Sequence, residues 1–151
     1  MKWLEAQTPP PRAKGAAKVA ASFAEGSAVL AGEGGDVTLV WDPKARAPEA
    51  PPGTYRVRST RIVRESWIIS ASAGPEPSLT VKDKAELKVD ETVRFDGHAK
   101  RHGAKLQLGF SIKAADGRGL TVYKDDRRVP VTFKVLAKDG KVLAQGTMNY
   151  G

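Results

Sequence analysis

Residues 105–114 place Leu106, Leu108, Phe110, Ile112 and Ala114 at every second position, against Lys105, Gln107, Ser111 and Lys113. Strict period two puts one set on each side of an extended chain, which defines a half-buried antiparallel strand. A helix would scatter the same apolar set around its axis. Asp116-Gly117 ends this run and leads into Leu120–Tyr123. Asp139-Gly140 joins Val131, Phe133 and Val135 to Val142, Ala144, Met148 and Tyr150. Asp-Gly between two alternating runs is a hairpin signal, because both residues tolerate positive φ. The pattern predicts antiparallel strands over residues 104–150. It assigns Leu106, Leu108, Phe110, Ile112, Val131, Phe133, Val135, Val142 and Met148 to one core.

Upstream the strand signals are shorter. Val37, Leu39 and Trp41 alternate with their neighbours, and residues 43–53 hold four prolines and one glycine, which predicts a loop. Tyr55 and Val57 alternate with Arg56 and Arg58, then the alternation slips near Ser59–Arg61, as at a bulge. Trp67, Ile69 and Ala71 follow at period two, and Gly74-Pro75-Glu76-Pro77 makes a turn. Leu79, Val81, Ala85, Leu87, Val89, Val93 and Phe95 continue the extended pattern. After residue 32 no stretch sustains a 3.6-residue period. About nine short strands at this spacing predict an all-β protein, an antiparallel β-sandwich, with a closed barrel as the structural alternative.

Pro9-Pro10-Pro11 makes the first 15 residues a stiff, extended arm, and residues 16–151 read as one sandwich domain. Residues 16–31 are Ala-rich, interrupted by Lys18, Glu25 and Gly26. The N-terminal order lacks the charged-then-apolar pattern of a leader. It fits either a cytoplasmic chain or an extracytoplasmic one whose leader has been removed.

A chain of 151 residues is long enough to bury a core without staples. It contains no cysteine, which excludes disulfides, thiolate nucleophiles and cysteine zinc sites. No apolar run has the ~18 residues of a membrane-spanning helix. The net charge of +8 is unevenly placed: residues 1–52 carry six basic and six acidic groups, and residues 53–151 carry 19 and 11. A basic body attracts nucleic acid, anionic lipid or acidic polysaccharide, although scattered solvated charge is the plainer reading.

Catalytic patterns are missing. Gly109-Phe110-Ser111 lacks the second glycine of a nucleophile elbow and lies mid-strand, and there is no phosphate loop. Asp90-Glu91 and Asp125-Asp126 are adjacent pairs whose members point to opposite faces of a strand. His98 and His102 would share a face of a helix, but Gly97 and Gly103 bracket them and Lys100 and Arg101 repel a cation, so a solvated basic loop is expected. Three basic groups stand out: Arg56 and Arg58 with Arg64; Lys124, Arg127 and Arg128; and Lys100, Arg101, His102 and Lys105. Trp41 and Trp67 fall on faces expected to point inward, and Trp3 lies in the arm.

Pro52-Gly53-Thr54-Tyr55-Arg56-Val57 resembles the P-G-x-Y-x-V signature of prealbumin-like and carboxypeptidase-regulatory-like β-sandwich domains. Leu79 to Val89 looks like the closing hairpin of such a domain. The resemblance implies a bacterial secreted or envelope setting and an accessory module with no shared catalytic residues.

The sequence therefore predicts a non-enzymatic β-sandwich module, prealbumin-like or immunoglobulin-like, that acts by binding or structural support. No cofactor or metal is expected. The alternative is a small basic protein that binds acidic polysaccharide or nucleic acid, with nucleic acid the less favoured, and an enzyme is third. Arg56, Arg58, Arg64, Arg127 and Arg128 are the candidate anion-binding residues. The partner is an anionic polymer or another protein domain.

Overall fold

The computed structural model describes residues 15–150, so the proline-rich arm and Trp3 lie outside the described residues apart from Gly15. The chain folds as an all-β protein of fourteen strands among the described residues. Eight run through residue 87: β1 (Ala17–Ala21), β2 (Gly26–Gly32), β3 (Gly35–Trp41), β4 (Glu49–Ala50), β5 (Gly53–Arg64), β6 (Trp67–Ala73), β7 (Ser78–Val81) and β8 (Ala85–Leu87), with β9 (Val93–His102) following. Then come β10 (Lys105–Ala114), β11 (Gly119–Lys124), β12 (Arg127–Arg128), β13 (Val131–Leu136) and β14 (Val142–Met148). Among the described residues no helix is long and apolar enough to cross a membrane.

A large sheet runs in the order β3-β2-β5-β6-β11-β10-β9, with β7 paired to β5 and β12 to β11. A small sheet, β4-β1-β8, lies over one side of it, and β13-β14 form a separate hairpin. The sheets are antiparallel except for β1 with β8, which run parallel. The core between the two layers joins Ala17, Val19, Ala50 and Leu87 of the small sheet to Leu30, Leu39, Trp41, Tyr55, Val57 and Ile62 of the large one. This is a β-sandwich-like packing of two sheets on a shared apolar interior.

Local residues explain the elements. The slip expected near Ser59 is a bulge: opposite Val29 and Leu30 the register jumps from Ser59 to Val57, leaving Arg58 as the extra residue. The bulge keeps Tyr55 and Val57 on the same inward side as Thr60 and Ile62 despite the change of parity. Gly117 and Gly140 both have positive φ, +88° and +84°, as the two Asp-Gly turns require. The turn at Asp125-Asp126 is tighter, with both residues at positive φ between β11 and β12.

Several sequence expectations are corrected. The core lies in residues 17–87, not in 104–150: Leu106 and Val142 are about half exposed, and Phe110, Ile112, Val131 and Phe133 are only partly covered. Alternation marks which residues share a face, but burial needs a second layer, and the small sheet covers only the N-terminal part. The Ala-rich stretch forms β1 and β2, in which Ala17, Ala28 and Ala31 are buried. Residues 43–53 are not all loop, since Glu49 and Ala50 pair with β1. The stretch Leu79 to Val89 is not a hairpin, because β7 pairs with β5 and β8 with β1. Residues 98–102 are strand rather than loop.

Candidate functional site

The hairpin β9–β10 pairs ten residues of each strand in unbroken register, from Val93↔Ala114 to His102↔Lys105. Such a ribbon is about 30 Å long at the usual strand rise. Its two faces differ sharply. One carries Phe95, Leu106, Leu108, Phe110 and Ile112. The other carries Arg94, Asp96, His98, Lys100 and His102 from β9, opposite Lys113, Ser111, Gly109, Gln107 and Lys105. Residues 93–114 hold five basic side chains and one acidic, so half of the net charge of the chain sits in this ribbon.

Every residue of β9 is exposed. Among the described residues none of the five ribbon cations pairs with a carboxylate; Arg101 donates from Nε to the Gly103 carbonyl at 2.9 Å. Gly109 gives the polar face its flatness. The His98 ring lies against it from the neighbouring strand, in the space a Cβ would fill. His98 and His102 share this face about 13 Å apart along the strand, too far to hold one ion. Among the described residues no group of His, Asp and Glu is placed to hold a metal.

The arginines singled out in the sequence are dispersed. Arg56 and Arg58 do share the outward face of β5, but Arg56 lies 3.7 Å from Glu76 and Arg58 is bound to Asp36 at 3.1 Å. Arg64 falls on the opposite, core-side parity and makes a two-point pair with Glu91, one arm being Nε to Oε1 at 3.0 Å. That carboxylate raises the arginine further above its ordinary range. Next to it, Asp90 is held below the usual carboxylate range by hydrogen bonds from the side chain and backbone of Thr92. Arg128 packs its guanidinium 3.7 Å from the centroid of the Tyr150 ring, and Arg127 is exposed beside it in β12. Of the third basic group, Lys100, His102 and Lys105 share the polar face near the ribbon tip, while Arg101, opposite Leu106, projects from the other face.

The tryptophans divide. Trp41 is core, its ring edge-on to Phe23 at 5.2 Å. Trp67 is not inward as its alternation implied: it is 39% exposed at the end of β6, with the Lys124 ammonium 5.0 Å above its ring. Sequence reasoning missed Arg118 altogether. It is buried, with Nε bound to Asp116 Oδ2 at 2.9 Å, and a lone arginine beside an Asp-Gly turn carries no signal of burial.

On its apolar side the ribbon meets the β13–β14 hairpin. The Phe110 ring stacks on Phe95 at 5.9 Å and meets Tyr150 edge-on at 5.5 Å, while the Tyr150 hydroxyl donates to the Val129 carbonyl. No family model, curated protein or solved structure matches the chain.

Proposed function

We propose that the protein is a non-catalytic binding module of a bacterial secreted or envelope protein, and that its ligand is an anionic polymer of the acidic polysaccharide class. The observation that carries this is the polar face of β9–β10, where Arg94, Lys100, Lys105 and Lys113 stand exposed on one continuously paired ribbon. Arg94 and Lys113 are paired at one end of the face and Lys100 and Lys105 stand near the other, about 20 Å away at the usual strand rise, so the face offers two spaced groups of positive charge to a chain of negative ones. Contacts of this kind are read by charge rather than by a shaped pocket, and they weaken as salt screens them.

The prealbumin-like reading of the scaffold is supported by the residues that suggested it. Tyr55 starts β5 with its ring in the core and its hydroxyl donates to the Pro51 carbonyl at 2.7 Å. That is the physical role the P-G-x-Y pattern assigns to tyrosine.

The test is elution from a heparin column across a salt gradient, beside a neutral dextran column. Wild type is retained on heparin alone, and Lys100→Glu/Lys105→Glu elutes much earlier. Arg56→Glu/Arg58→Glu elutes closer to wild type, since those arginines already have carboxylate partners. Co-elution of wild type and the ribbon variant at low salt would overturn the reading.

A further inference from the structure

The other face of the ribbon faces a cleft. It lies between β9–β10 and β13–β14, has a volume of about 270 Å³, and is walled by Phe95, Ala99, Leu108, Phe110, Phe133 and Met148. Gly97 and Gly109 add backbone without side chains, and Thr132 and Lys134 stand at its rim. Six of the seven large apolar side chains left exposed among the described residues lie in residues 93–143, on these two hairpins. The Phe95 ring is 54% exposed although it is stacked on Phe110, so the wall is formed and open to solvent.

We propose that this cleft binds the hydrocarbon of a medium-chain aliphatic carboxylate, with the Lys134 ammonium receiving the head group. The site goes beyond the polymer reading: it uses mainly the apolar side chains of the ribbon, with His98 at the shared boundary, and a different ligand chemistry. Its lining is mainly apolar, with His98, Thr132 and Lys134 as the polar side chains, so a hydrocarbon fits it better than a hydroxyl-covered sugar does. Charge selects the head group. No acidic residue lines the cleft, Lys134 has no carboxylate partner among the described residues, and the adjoining ribbon carries a net four positive charges. A second copy of the chain would bring the same positive charge against itself. The volume suits a fragment-sized ligand rather than a long lipid.

The experiment is calorimetric titration of the protein with hexanoate, octanoate and decanoate below their aggregation limits, beside decyltrimethylammonium. Decanoate binds one to one, and affinity rises by up to about fourfold per added methylene until the cleft is full. The cation of equal chain length binds about tenfold more weakly or not at all. Ala99→Phe, which fills the cleft from an exposed strand position, abolishes decanoate binding and leaves heparin elution unchanged. Lys134→Gln weakens decanoate and spares the chain-length trend. Equal binding of the anion and the cation, or no dependence on chain length, would overturn the proposal on the wild-type protein alone. Heparin elution tests the polymer reading separately, so either result stands without the other.

Discussion

The Trp41 indole N–H donates to the Val19 carbonyl oxygen at 2.8 Å, and the bond is buried. Trp41 ends β3 at an edge of the large sheet, and Val19 lies in the middle strand of the small one, so one side chain ties the two layers together. Trp41→Phe keeps an aromatic ring in the core and removes the donor. It is expected to cost about 1–3 kcal/mol through the carbonyl left without that partner. Trp41→Ala removes the ring as well and is expected to cost about 3–5 kcal/mol. Urea unfolding of both variants checks the order; equal, small losses would mean that the layers are held by other contacts.

Leucine truncations map the core. Leu39 is 0% exposed between the layers and Leu106 is 49% exposed on the ribbon. Leu39→Ala is expected to lose about 2–5 kcal/mol, and Leu106→Ala to stay within about 0.5 kcal/mol of wild type. The reverse order, by denaturant midpoint, would place the main core in the C-terminal half.

Arg118 is 4% exposed and Asp116 neutralises it, while its Nη1 has no partner among the described residues. Removing the carboxylate alone leaves a buried charge uncompensated. Asp116→Ala is therefore expected to destabilise by about 3 kcal/mol or more. Arg118→Met, which removes the charge and keeps the bulk, is expected to cost clearly less. Thermal melts of the two variants decide it, and an Arg118→Met loss as large as that of Asp116→Ala would contradict the account.

Burial holds the Tyr55 phenol above its ordinary value. The folded chain thus keeps that proton to higher pH than the unfolded chain. The associated stability is whole below the unfolded value of about 10 and is lost as pH rises through the folded one. Tyr55→Phe is expected to flatten the loss of stability above about pH 10. At pH 7 it is expected to cost about 1 kcal/mol, for the missing bond to Pro51. Stability curves at several alkaline pH values test this; an unchanged slope would move the alkaline sensitivity to other groups.

Much of the backbone is written locally. Period-two alternation at Leu106–Ala114, the Asp-Gly turns at 116–117 and 139–140, and the slip near Ser59 each correspond to a feature of the structure, because each depends on residues within one strand or turn. The candidate site was legible only in part. Lys100, His102 and Lys105 stand together in the sequence and on one face of the ribbon, with Arg101 on the other. By contrast, Arg56, Arg58 and Arg64 look like one patch and are split by carboxylates distant in the chain, Glu76, Asp36 and Glu91.

By itself the sequence determined the all-β class, the faces of the long strands and the excess of positive charge in residues 53–151. These follow from steric alternation and from composition, which need no partner segment. Only the tertiary structure decided which faces are buried, because burial requires a second layer and the small sheet β4-β1-β8 covers one end of the large sheet. It likewise decided which cations remain unpaired, since an ion pair depends on a distance in space. Val19 and Trp41 meet, and Lys100 and Lys105 stay free of carboxylates among the described residues, for reasons that no local pattern contains.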